Sequence, residues 1–277
     1  MGDFTSGTWT VPPLTTAWAI VDGRPMHYRH ALEAGPDAPA MVHVHGFGIS
    51  GTYMQPTAAL LAPRYRTFVP DLPGHGRSLR MEGRISLPRL AARLGDFCAE
   101  MGVATATFVG NSLGCPVICE LAHQAPELVE RAVLVSPAGG PNNQPMGRAI
   151  WQMTKDSLRE PLSMVPIAVR DYLRFGVVTS LQLFRAMTAF PTVDRARSLS
   201  MPVLAIAGVR DPLVRPDRIS VLHGMPHLRA ALVPGAHALN YSHPDTIAAL
   251  IDAHERGDSF EAATGPLAGV REVRVPD

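Results

Sequence analysis

The chain has 277 residues, 46% of them hydrophobic and 18% charged, so it can bury a sizeable core as one large domain or two small ones. A formal net charge of +1 gives no surface bias toward nucleic acid. Lys155 is the one lysine, which leaves Schiff-base chemistry a single unsupported candidate, and three cysteines (Cys98, Cys115, Cys119) lack the spacing of a metal or disulfide framework. They read as small buried apolar residues. The N-terminal "MGDFTSGTWTVPPL" has no basic region followed by an apolar core, and no stretch is long and apolar enough to span a membrane. Its bare myristoylation pattern lacks a second membrane signal. The expectation is a soluble cytoplasmic protein without a membrane partner.

In chain order, short apolar or β-branched runs alternate with longer helical patterns. Residues 16–31 predict two strands around the turn Asp22-Gly23. A buried strand over 39–46 ends in His-Gly, and 52–63 predicts a short helix with Pro56 in its first turn. A strand at 66–71 leads into the loop "LPGHGRS". Residues 86–102 have helical spacing, with Ser86 as N-cap and Gly102 as stop. Strand 104–110, helix 113–126 and strand 131–139 follow. Residues 141–197 break the rhythm: they hold Pro141, Pro145, Pro161, Pro166 and Pro191 with many Met, Phe, Leu and Ile, and predict helical pieces without a clear strand. Then come strand 201–211, helix 215–226, strand 228–236 and helix 243–257. Residues 258–277 are weakly patterned and read as a loose tail. There are no internal repeats.

This alternation predicts a mostly parallel sheet with helices on both faces, and in such sheets ligands sit beyond the carboxyl ends of the strands. Three strand ends carry chemistry: Ser112 in "GNSLG", Asp211 ending "AIAGVRD", and His237 following "ALVPGA". A serine hydroxyl is a poor nucleophile until an imidazole takes its proton, and the imidazole needs a carboxylate to orient it and stabilise its cation. Gly110 and Gly114 remove side chains that would collide where a strand turns at once into a helix. The N-terminus of that helix favours a developing anion. Backbone N–H groups of Leu113, after the serine, and of Phe47, in "HVHGFGISG", are candidates to stabilise that charge.

The blocks "HVHGFG", "VPDLPGHGRS", "VGNSLG", "VLAIAGVRDPLV" and "PGAHALNYSHPD" resemble those of the α/β-hydrolase fold family over about residues 16–255. The resemblance implies that fold, with residues 1–140 and 198–257 as core, 141–197 as a helical cap and 258–277 as tail. It implies Ser112 as nucleophile, Asp211 as acid, His237 as base, and Phe47 and Leu113 as the oxyanion donors. Asp71 and His75 in the second block are expected to be structural. His45 is expected to support the oxyanion loop through hydrogen bonds, and His243, with Pro244 and Asp245, to cap the last helix. No carboxylate near strand end Ser136 competes with Asp211.

A serine rather than an aspartate at position 112 points to acyl chemistry. The expected reaction is hydrolysis of a small to medium, largely apolar carboxylic ester or lactone. Asn111 suggests an alternative, because "GNSLG" resembles the elbow of carbon–carbon hydrolases that cleave vinylogous diketone ring-fission products. A third reading is a non-catalytic ligand receptor on the same fold. Asn111, Trp151, Phe184 and Met187 are the candidate pocket residues, and a cap arginine could bind a substrate carboxylate. No cofactor or metal is expected. The expected partner is a small-molecule substrate, with the chain a monomer or homodimer.

Overall fold

Nine strands hydrogen-bond into one sheet in the computed structural model of the chain, which describes residues 14–138, 145–214, 225, 227–260 and 265–273. In chain order the strands are β1 (Thr15–Val21), β2 (Arg24–Ala31), β3 (Ala40–Val44), β4 (Arg66–Pro70), β5 (Ala106–Asn111), β6 (Val129–Val135), β7 (Val203–Gly208), β8 (Leu228–Val233) and β9 (Arg271–Val273). Their order across the sheet is β1-β2-β4-β3-β5-β6-β7-β8-β9. The run from β4 to β8 is parallel, and β1, β2 and β9 close the two edges antiparallel.

The central strands are apolar on both faces, as a sheet covered by helices on both sides requires. Successive residues point to opposite faces. Phe108, Ala132, Leu134, Val203 and Ala205 join one core. That core includes α2 (Leu87–Glu100) and α3 (Gly114–Gln124). Val109, Val133, Val135, Leu204 and Ile206 join the other, which includes α9 (Pro244–Arg256). α1 (Gln55–Leu61) packs near α9, and the short α8 (Leu239–Ser242) precedes it. All three cysteines are buried and unpaired.

Between β6 and β7 the chain leaves the sheet and forms four helices: α4 (Met146–Ser157), α5 (Val165–Phe175), α6 (Val177–Ala189) and α7 (Thr192–Arg197). The strand-free character expected of 141–197 is observed from residue 145 onward; residues 141–144 lie outside the described residues, as does the helix expected at 215–226 apart from Met225.

Three local expectations differ from the structure. The described residues from 258 onward, namely 258–260 and 265–273, are not loose. Phe260 is fully buried under the Arg229 guanidinium, 3.6 Å from the ring centroid, and β9 pairs with the free edge of β8. The Arg229–Glu272 ion pair at 2.9 Å ties this short strand down. Ser86 occupies the N-cap of α2, yet its side chain makes no capping bond; Pro88 in the first turn lacks one of the amides a cap would take. His243 occupies the N-cap of α9, yet its side chain makes no capping bond; the ring bonds Ser242 Oγ at 2.9 Å instead.

Candidate active site

The corner between β5 and α3 is strained at one residue. Ser112 has φ +55°, the left-handed region that costs a residue with a Cβ on the order of 1–3 kcal/mol and persists only where surroundings enforce it. They do so here. Ser112 N–H donates to Val135 at 3.0 Å, while its carbonyl accepts from Cys115 at 3.1 Å and Ala138 at 3.2 Å. The flanking glycines are required sterically. A Cβ on Gly110 would lie 2.7 Å from Ile118 Cδ1 and 2.8 Å from the Gly114 carbonyl carbon, and one on Gly114 would collide with the Val44 carbonyl. α3 can therefore start against β3 and β5 only with glycine at both places.

Asp211 lies just beyond β7. One carboxylate oxygen accepts the backbone N–H groups of Leu213 and Val214 at 2.8 and 2.9 Å. The other accepts from His237 Nδ1 at 2.8 Å. Nδ1 thus carries the hydrogen of the neutral ring and Nε2 is the basic nitrogen. Burial by itself would raise the Asp211 carboxyl, but the His237 charge and hydrogen bond bring it below its usual value. Burial would lower His237; the Asp211 charge and hydrogen bond, reinforced by Asp156 and Glu160, push it up to about 9.

Ser112 and His237 line one cavity of about 160 Å³. Phe47, Ile49, Tyr53 and Asn111 line it from the core, and Met153, Asp156, Glu160, Tyr172, Phe184 and Met187 from the helices between β6 and β7. Of the four candidate pocket residues, Phe184 and Met187 take part through their side chains. Asn111 lines the cavity, but its polar ends are engaged. Its Oδ1 accepts the Tyr53 hydroxyl at 2.7 Å and its Nδ2 donates to the Val135 and His237 carbonyls, both at 3.1 Å. The Tyr53 oxygen in turn accepts Gly46 N–H at 2.8 Å. A buried chain of hydrogen bonds therefore joins the loop after β3, the Ser112 corner and the His237 loop. Trp151 does not belong to the pocket. It is 59% exposed on α4, with Lys155 Nζ 5.0 Å over its ring. The helical period turns its side of α4 outward while Met153 and Asp156 turn in.

The loop after β3 is held from below and above. Leu72 N–H donates to His45 Nε2 at 2.8 Å, so His45 Nδ1 donates to the Gly46 carbonyl at 2.9 Å. Ser50 N–H donates to the buried Asp171 of α5 at 2.8 Å, and the Tyr172 ring covers Gly48. Phe47 stands edge-on to Phe175 at 5.8 Å. Leu113 is fully buried at the N-cap of α3, where helix amides have no intrahelical partner. Asp71 and His75 are structural. Asp71 binds Arg29 at 2.8 Å, His27 at 2.9 Å and the amides of Gly51 and Arg77, and His75 stacks on Phe175 at 4.2 Å.

Two carboxylates stand beside His237 that the sequence reading does not find. Glu160 Oε1 accepts Ala238 N–H at 2.7 Å. Asp156 sits one helical turn earlier, and burial, with Glu160 and Asp211 nearby, pushes its carboxyl up to about 7. Burial raises Glu160 as well. The available signal is their spacing: Asp156 and Glu160 are four apart in a segment whose other charges are mostly arginines.

Residues 39–168 match the family described as "alpha/beta hydrolase fold". An uncharacterized protein of Mycobacterium tuberculosis is 35% identical over 129 residues, which is 47% of this chain and 37% of that protein. Carboxylesterase YbfK of Bacillus subtilis is 33% identical over 111 residues, 39% of this chain and 38% of that one. The matched stretch is thus under two fifths of either relative's length. The YbfK crystal structure superposes with a TM-score of 0.72 at 21% identity, covering 91% of this chain and 94% of that one. The enol-lactonase of Burkholderia xenovorans LB400 superposes with a TM-score of 0.73 at 22% identity, covering 87% and 100%.

Proposed function

We propose that the chain, whose residues 39–168 match the alpha/beta hydrolase fold family, is a serine hydrolase of a small to medium, largely apolar carboxylic ester or lactone. Ser112 is the nucleophile, His237 the base and Asp211 the acid. The observation that carries this reading is the strained Ser112, φ +55°, opening on the same cavity as a histidine already oriented by a buried aspartate at 2.8 Å.

In this reading the Ser112 hydroxyl attacks the carbonyl carbon as His237 Nε2 takes its proton. The new oxyanion lies against the backbone N–H groups of Phe47 and Leu113, whose supports are the His45 bond and the start of α3. Collapse breaks the carbon–oxygen bond to the alcohol, which leaves with the proton from His237. Water, deprotonated by the same ring, then releases the acid from Ser112. Asp211 holds the tautomer and stabilises the transient imidazolium.

The cavity walls favour an apolar acyl or alcohol group, since Phe184, Met187, Met153 and Ile49 are among the residues that line it. Likeness to a carboxylesterase and an enol-lactonase supports ranking ester and lactone first. The resemblance of Asn111 to carbon–carbon hydrolases weighs less, because both ends of that side chain are engaged within the protein. The test is turnover of a panel of p-nitrophenyl esters, lactones and ring-fission diketones by the wild type and Ser112→Ala. Ester or lactone turnover lost in the variant supports the reading; turnover of diketones alone, or of nothing, contradicts it.

A further inference from the structure

The outer face of the helices between β6 and β7 is apolar to an unusual degree. Sixteen large hydrophobic residues are exposed among the described residues, and ten of them fall between Ile150 and Leu181. Several are almost bare: Leu158 is 83% exposed, Leu162 84%, Leu173 78% and Val177 76%. Exposed apolar residues that recur singly need no explanation, but a run of this kind marks a surface that meets something.

Their spacing makes them a ridge. On α5, Val165, Val169 and Leu173 are four apart and share one face. Leu162 precedes this row by one turn, and beyond the Gly176 turn Val177, Val178 and Leu181 add exposed apolar side chains on α6. The inward side of α5 carries Asp171 and Phe175, both buried. Val165 also lines the cavity that holds Ser112, so the ridge adjoins that cavity.

Charge is sorted in the same sense. α4 to α6 and their connections hold six cations, Arg148, Lys155, Arg159, Arg170, Arg174 and Arg185, all exposed. Their three carboxylates turn inward. Asp156 and Glu160 line the cavity, and Asp171 is buried on Ser50 N–H and Arg170. Arg174 stands one position beyond the ridge residue Leu173, beside the row; Arg170, one position beyond Val169, is ion-paired with Asp171. The exposed Trp151, with Lys155 over its ring, adds an aromatic of the kind that settles at a lipid–water boundary.

We propose that this face docks on an anionic lipid surface, with the Leu162–Leu181 ridge in the acyl–headgroup boundary and the flanking arginines on headgroup phosphates. An apolar row flanked by cations is what such a boundary binds, by buried area and by attraction to anionic lipid together. A second copy of the chain fits less well. A two-fold contact sets the same patch against itself, which brings basic residue against basic residue with no exposed carboxylate among the described residues of α4 to α6 to compensate. No described helix is long and apolar enough to cross a membrane, and surface docking needs none. The proposal goes beyond the catalytic reading and does not depend on it.

The test is sedimentation of the full chain with vesicles of pure phosphatidylcholine and with vesicles of equal parts phosphatidylcholine and phosphatidylglycerol, over a series of salt concentrations. The wild type should bind the anionic vesicles and be released by salt. Val169→Glu and Leu173→Glu, each placing a charge where an apolar side chain would be buried, should lower partitioning by about tenfold or more. Arg174→Glu, on the exposed flank, should lower binding to the anionic vesicles alone and keeps the test open should an apolar variant misfold. Circular dichroism and turnover of a water-soluble ester check that the variants are folded. A wild type that stays in the supernatant with both vesicles, ridge variants that partition as the wild type does, or a solution dimer broken by Leu173→Glu would each overturn the proposal.

Discussion

The strand ends of the core and the helices between β6 and β7 meet at one cavity but are built on different terms. In the core the site residues are held by buried neighbours: the Ser112 backbone by three hydrogen bonds, the Asp211 side chain by two amides and a ring nitrogen, the Asn111 side chain by a tyrosine and two carbonyls. The helical segment instead contributes apolar wall, two carboxylates pushed toward protonation, and an outward ridge. On the proposed function, the core sets the chemistry, and the helices tune substrate choice and the charge state of His237. Substitutions in the two regions should separate these properties.

The largest effect belongs to the core. Asp211→Asn should keep the fold but favour the wrong His237 tautomer, lowering turnover by up to about 10⁴, as steady-state kinetics would record. Unchanged turnover would mean that another carboxylate, Asp156 or Glu160, orients the ring.

Asp71 gives the next effect, on stability rather than chemistry. Burial alone would raise its carboxyl, but the bonds from His27 and Arg29 hold it well below the usual carboxylate range. Asp71→Ala leaves Arg29 buried without its partner and should cost about 3–5 kcal/mol in a urea unfolding curve. The folded-state value is depressed, so the contribution is fully present above the ordinary carboxylate range and is lost progressively as the pH falls from that range down to the depressed folded-state value.

The helices should act on pH dependence. With His237 raised to about 9, kcat/KM should rise with pH as the ring loses its proton. Glu160→Gln and Asp156→Asn remove negative charge that holds that proton, so each should move the acidic limb to lower pH. A limb that stays in place in both variants would show that these two carboxylates do not reach the ring. The smallest effect separates two aromatics, one on α6 and one on α4: Phe184→Ala should change preferred ester chain length, while Trp151→Ala, outside the cavity, should leave it alone.

The same contrast explains what could be read from the residues alone. Core strands announce themselves because apolar residues buried on both faces, such as Val133 and Leu134, need consecutive β-branched and aliphatic side chains. Gly110 and Gly114 are visible because a tight corner admits no other residue. The carboxylates Asp156 and Glu160 beside His237 are not visible, because a contact between Glu160 and Ala238 depends on how α4 and the turn after it seat over a distant loop. Trp151 misleads for the opposite reason: aromatic character predicts burial, and here the helix turns it outward. The edge strand at 271–273 is short and charged, so only the free edge of β8 gives it a reason to form.

The central claim is that Ser112 is the covalent nucleophile, and intact-protein mass spectrometry with a fluorophosphonate tests it most directly. The wild type should gain one adduct mass, mapped to the peptide that holds Ser112, and Ser112→Ala should gain none. An adduct that persists in Ser112→Ala, or one that maps to another residue in the wild type, would contradict the account.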